Sequence, residues 1–243
     1  MFIARTLCLA IVSALFIGNI SAQEKLPGVY PNPDRFEMQI AEFEESDKTS
    51  PPPTGAVLCY GSSSIRYWHK DLAEDLAPLT VIPRGFGGSN MNDALHFADR
   101  AVLPYKPRAI LLYEGDNDIG AGVSPEEVID TFRKFVTKVH STLPDTRIYI
   151  IAIKPSILRW RLWPQIQKTN ELFAAECNKN DKLTYIDIAT PMLTPEGLPR
   201  PELLCMDRLH MNRQGYELWR DIVQQILVKN EGQYENAKSF DSE

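Results

Sequence analysis

Ala56-Val57-Leu58-Cys59-Tyr60-Gly61-Ser62-Ser63-Ser64 is the stretch on which the fold turns. Five uncharged residues read as a short strand, and the Gly-Ser run behind them reads as the turn that ends it. Four similar runs follow, at 79–83, 109–113, 147–153 and 183–186. They are largely apolar rather than alternating, as expected for strands buried on both faces of a sheet. Helical periodicity lies between them. In Ser124-Pro125-Glu126-Glu127, Ser124 is a helix cap, Pro125 suits the first helical position, and Glu127 completes a capping box. Val128, Phe132, Phe135, Val136 and Val139 then form one apolar stripe. A last helix begins near Arg213 and carries Tyr216, Leu218, Trp219, Ile222, Val223 and Ile226. Repeated strand–helix units predict an α/β fold whose parallel sheet is joined by right-handed crossovers.

The chain around this unit divides simply. Residues 54–229 are expected to form the domain, and 243 residues suffice for one sizeable core. Residues 23–53 form an N-terminal extension: 23–33 extended, then a helix capped by Asp34 and running through Phe36, Ile40 and Phe43. Pro51-Pro52-Pro53 ends that helix and acts as a stiff spacer. Residues 230–243 are a polar, frayed tail. Residues 1–22 read as a secretory signal, with Arg5 before an apolar run from Leu7 to Ile17 and small residues ending at Ala22. The run is too short for an ordinary membrane span. A secreted or periplasmic protein is therefore expected, with no stable membrane anchor once the signal is removed. The net charge of −6 comes with no basic stripe, which argues against nucleic acid as a partner. Cys59 reads as a buried small hydrophobe, and a Cys177–Cys205 disulfide stays open.

Four segments carry candidate chemistry: Gly61-Ser62-Ser63-Ser64, Gly85-Phe86-Gly87-Gly88, Gly115-Asp116-Asn117-Asp118 and Asp207-Arg208-Leu209-His210. The first three directly follow strands. The fourth follows the last strand after a longer loop and precedes the final helix. In parallel sheets, the loops at the carboxyl ends of strands share one edge, where active residues collect. Each segment alone is an ordinary turn; it is their common edge that points to a site.

In this set and order, the chain resembles the SGNH hydrolases, also called GDSL-type lipases and esterases. The family's Gly-Asp-Ser appears as Gly61-Ser62-Ser63, with serine in place of the usual aspartate. Its second-block glycine matches Gly88. Gly-x-Asn-Asp is intact as Gly115-Asp116-Asn117-Asp118, and Asp-x-x-His as Asp207-Arg208-Leu209-His210. The resemblance implies a three-layer α/β/α sandwich of flavodoxin-like type, with five parallel strands in the order 2-1-3-4-5. It also implies Ser63 as nucleophile, His210 as base and Asp207 as the carboxylate orienting it. Ser63, Gly88 and Asn117 would be the oxyanion donors. The expected activity is hydrolysis of a small-molecule or carbohydrate ester, with no metal or organic cofactor.

Alternatives remain at several positions. Ser64 and Ser62 flank the nucleophile. Asp93-Ala94-Leu95-His96 is a second Asp-x-x-His, read as a solvated pair on a helix. His69 and His140 read as surface residues. Arg159 and Trp160 lie in a loop on the active edge, where they either line a substrate pocket or pack a helix onto the sheet. Carbohydrate O-acetylesterase, lysophospholipase-like or acetylhydrolase-like lipid esterase and thioesterase activities all fit the pattern. So does a non-catalytic carbohydrate- or lipid-binding module on the same fold, although a pure binder has no need of a base and its orienting carboxylate.

Overall fold

The computed structural model describes residues 28–235. The signal segment therefore lies outside the described residues, as does the tail beyond 235. Five strands form one parallel sheet in the order β2-β1-β3-β4-β5. They are β1 (Val57–Gly61), β2 (Val81–Gly85), β3 (Ala109–Tyr113), β4 (Arg147–Ile151) and β5 (Leu183–Ile186). This is the order that the family resemblance implies. The helices are α1 (Glu37–Thr49), α2 (Ser63–Asp75), α3 (Met91–His96), α4 (Ala98–Ala101), α5 (Asp116–Ala121), α6 (Pro125–Thr142), α7 (Trp163–Cys177) and α8 (Arg213–Glu231).

Strand alternation divides the core into two layers. Leu58, Tyr60, Ile110, Leu112, Ile148 and Ile150 face Phe132 and Phe135 of α6, Phe173 of α7 and Ile40 of α1. Val57, Cys59, Leu111, Tyr113, Tyr149 and Ile151 face Trp68 of α2 and Trp219 of α8. With helices on both faces, no strand residue needs to be polar, which explains the continuous apolar runs. The α2–α8 layer is also pinned by charge. Asp75, almost fully buried, accepts two bonds from Arg213 at 2.6 and 2.7 Å and one from the Trp68 indole at 2.7 Å.

Several boundaries differ from the sequence reading. Strand β2 starts two residues later than expected, because Leu79 N–H bonds Leu76 O in the turn after α2. Strand β4 ends before Ile153, whose N–H and C=O are both taken by the Asn170 side chain of α7. Ser124 caps α6 as read, accepting from Glu127 N–H at 3.2 Å. Near the N-terminus the cap is Asn32, not Asp34, and it opens a 3-10 turn that leads into α1.

The N-terminal extension is part of the domain. Ile40 is fully buried, Arg84 pairs with Asp47, and Arg100 holds both Glu37 and Glu44. The described part of the tail, to residue 235, is likewise tied to the domain. Glu231 is fully buried, accepting from Arg147 at 2.5 and 2.6 Å and from Tyr149 at 2.7 Å. Glu235 accepts from Thr80 and pairs with Arg108. The sequence missed both ends because their partners lie tens of residues away. Cys59, Cys177 and Cys205 are all free thiols, so the two later cysteines form no disulfide.

Candidate active site

The four segments meet at the carboxyl edge of the sheet. Gly61 ends β1 with φ +136°, and a Cβ there would lie 2.2 Å from Tyr113 O. Only glycine permits that turn. Ser62 follows as the cap of α2, and Ser63 is the first residue of that helix. Ser62 and Ser64 are both about 2% exposed, buried beneath the surface. The Ser64 carbonyl accepts the Tyr216 hydroxyl at 2.9 Å. Of the three serines, only Ser63 lines the cleft.

His210 reaches Ser63 from the loop before α8. Its Nε2 lies 2.9 Å from Ser63 Oγ, and its Nδ1 lies 2.6 Å from Asp207 Oδ2. With the ring proton on Nδ1, the imidazole donates to Asp207 and accepts from the Ser63 hydroxyl. The other Asp207 oxygen accepts the N–H groups of Leu209 and His210, both at 2.9 Å. Arg208 takes φ +60° within this tight turn. Burial pushes the Asp207 carboxyl up, but the hydrogen bonds from His210 and the two backbone amides outweigh it and hold it at about 2. The carboxylate is therefore charged at neutral pH.

Gly88 and Asn117 complete the cleft with Ser63 and His210; its volume is about 390 Å³. Gly88 has φ +92° and open space where a Cβ would stand. Asn117, on the first turn of α5, donates to Ser89 O at 2.8 Å, which fixes the amide beside the Gly88 turn. The Ser89 hydroxyl in turn donates to Glu114 at 2.5 Å. Glu114 is fully buried, and burial reinforced by the Asp118 charge pushes its carboxyl well above the ordinary range.

Arg159 and Trp160 do not line this cleft. Arg159 bonds Asn117 Oδ1 at 2.9 Å and Asp116 Oδ1 at 2.6 Å, so it orients Asn117 from behind. Trp160 stacks on Trp163 with ring centroids 5.5 Å apart. The same loop also supports the His210 turn, through Leu158 N–H to Arg208 O at 3.0 Å. Arg66 and Tyr67 occupy the cleft instead. Sequence reasoning missed them, although three and four residues after Ser63 on a helix is the spacing of a shared face.

The other histidines and the second Asp-x-x-His also read differently in three dimensions. Asp93 is fully buried rather than solvated: it forms a capping box with Asn90, pairs with Arg35, and makes no bond to the exposed His96. His69 is not a surface residue, since its Nε2 accepts Gly85 N–H at 2.8 Å. Burial, with the Arg84 and Arg66 charges, lowers it to about 4. His140 is half-buried against Thr146 O. Among the described residues, no group of three or more His, Cys, Asp or Glu side chains could hold a metal ion.

A fold of this order, carrying these blocks on one edge, defines a class of ester-bond hydrolase. Residues 51–218 match the model of the GDSL-like lipase/acylhydrolase family, and the chain belongs to that family. It is 26% identical over 201 residues to a GDSL esterase/lipase, WDL1, of Oryza sativa subsp. japonica, covering 70% of this chain and 75% of that protein. Among solved structures, it resembles a Streptococcus pneumonia protein provisionally named as a platelet activating factor. The TM-score is 0.70 at 19% identity, with 79% and 92% of the two chains covered. It also resembles a mutant of Axe2, an acetyl-xylooligosaccharide esterase from Geobacillus Stearmophilus. There the TM-score is 0.58 at 14% identity, with 71% and 94% covered.

Proposed function

We propose that the chain hydrolyses short-acyl carboxylic esters through an acyl-Ser63 intermediate. The observation that carries this reading is the continuous Asp207–His210–Ser63 hydrogen-bond chain opening on the Gly88 and Asn117 cleft. Ser63 Oγ attacks the ester carbonyl as His210 Nε2 takes its proton, and Asp207 stabilises the imidazolium. The developing oxyanion is met by the backbone N–H groups of Ser63 and Gly88 and by the Asn117 amide. One such donor is worth roughly 3–4 kcal/mol in comparable sites. The proton returns to the leaving alcohol, and water then releases the acid by the reverse route.

The short-acyl preference rests on the lining of the cleft. Leu209 is its one aliphatic side chain beyond the helix and turn residues, and nothing there resembles a long apolar trough. Each extra methylene would therefore gain little of the roughly 0.8 kcal/mol that full burial supplies. Across p-nitrophenyl esters, kcat/KM should fall from acetate or butyrate to decanoate. A steady rise with chain length contradicts the short-acyl reading and favours a lipid substrate. Acetylated carbohydrate is the second reading, favoured by the polar character of the same cleft.

The protein acts outside the cytoplasm in this account, because residues 1–22 carry the pattern of a secretory signal. Material exported by a bacterial host should begin at Gln23 on N-terminal sequencing; recovery of Met1 contradicts export by this route.

A further inference from the structure

We propose that Arg66 forms an anion subsite for the alcohol portion of the ester, so that the preferred substrates carry a carboxylate or phosphate beside the ester bond. This rests on the serine-esterase reading above and adds the chemistry of the leaving group.

Arg66 stands one helical turn after Ser63 on α2, and its side chain is exposed. It lies along the Gly87 backbone: a Cβ at Gly87 would meet Arg66 Nη1 at 3.4 Å and Ser63 Cβ at 3.8 Å. Guanidinium and nucleophile thus flank one small region of the cleft. Of the other arginines around the site, Arg159 is engaged by Asp116, Arg213 by Asp75 and Arg84 by Asp47, and Arg208 lines neither the cleft nor the groove beside it. Among the described residues, the Arg66 side chain makes no ion pair or hydrogen bond. Such an uncompensated guanidinium is a ready bidentate partner for a carboxylate or phosphate.

The direction of the cleft assigns this charge to the alcohol rather than the acyl group. His210 must return its proton to the leaving oxygen, so the alcohol lies on the imidazole side. Tyr67 packs edge-on against the His210 ring, with centroids 4.8 Å apart. A second groove of about 520 Å³ lies beside the cleft, and Arg66 and Tyr67 line both. Within that groove Arg213 is neutralised by Asp75, and Lys70 lies 3.8 Å from Asp71. Arg66 is left as the excess charge on the path of the alcohol.

The test compares three acetyl esters of similar shape: 4-acetoxybenzoate, 4-acetoxyphenyl phosphate and neutral methyl 4-acetoxybenzoate. Each kcat/KM is divided by the ester's own hydroxide rate. The wild type should favour at least one anionic ester by about tenfold or more, the scale of one charged hydrogen bond. The better of the two identifies carboxylate or phosphate as the source. In Arg66→Gln the ratio should collapse towards one, and in Arg66→Lys it should be largely restored. A wild-type ratio near one, or a ratio unchanged in Arg66→Gln, overturns the anion subsite. In that case continued p-nitrophenyl acetate hydrolysis, lost in Ser63→Ala, leaves the esterase reading standing. Absence of all ester hydrolysis overturns both.

Discussion

Replacing His210 by alanine is expected to lower kcat/KM for p-nitrophenyl acetate by roughly 10⁴-fold or more, because a nucleophile–base unit fails when either member is lost. His96→Ala should change it by less than about twofold. Both histidines stand three residues after an aspartate, but the two aspartates are committed differently. Asp207 bonds the His210 ring and two amides of its own turn. Asp93 caps α3 and pairs with Arg35, leaving His96 exposed at the edge of Phe97. Steady-state kinetics of the two variants, with circular dichroism to check folding, decides the matter. Comparable losses in both would contradict this division of roles.

Asp116→Ala should produce the largest loss of stability among substitutions near the site, about 3–5 kcal/mol. Asp116 accepts Lys154 Nζ at 2.7 Å and Arg159 Nη1 at 2.6 Å, and Lys154 is only 1% exposed. Removing the carboxylate leaves a buried ammonium without its partner and also frees the Arg159 clamp on Asn117. For a domain of this size, that corresponds to a fall in Tm of about 6–20 °C. Asp116→Ala combined with Lys154→Met should recover part of the loss, since the unpaired charge is gone. The same pair predicts a pH dependence. Burial pushes the Asp116 carboxyl up, but the Lys154 and Arg159 charges and their hydrogen bonds prevail, lowering it from 3.8 to about 2. A depressed folded value contributes stability that is fully present above the unfolded value and is lost as pH falls through the folded one. Wild-type stability should therefore drop between about pH 4 and 2, and the Asp116→Ala share of that drop should vanish. A variant melting within about 2 °C of wild type would contradict the buried-pair account.

The sheet and the four segments were legible because their signals are local. A strand with both faces covered shows as an apolar run, and the turn at its end shows as glycine beside a polar residue. The Asp207–His210 spacing is likewise contained in four residues. What escaped the sequence depends on contacts between distant segments. Glu37 and Glu44 of α1 meet Arg100, and Glu231 meets Arg147, so both ends of the described segment pack onto the domain. Asp93 looked solvated because its partner Arg35 lies 58 positions away. Arg159 was placed on the correct edge of the sheet, but its ion pair with Asp116 turns it towards the back of Asn117. Arg66 and Tyr67 are the instructive omission. Their helical spacing from Ser63 was visible, but the glycine-rich second block that opens the cleft in front of them is brought there only by the pairing of β1 with β2.

The most direct measurement is reaction with a fluorophosphonate, followed by peptide mass spectrometry. The probe traps a serine activated by a neighbouring base and oxyanion donors. One equivalent should attach to Ser63, with hydrolysis lost in step, and neither Ser63→Ala nor His210→Ala should be labelled appreciably. Stoichiometric labelling of Ser62 or Ser64, or undiminished ester hydrolysis by Ser63→Ala, would contradict the acyl-Ser63 mechanism.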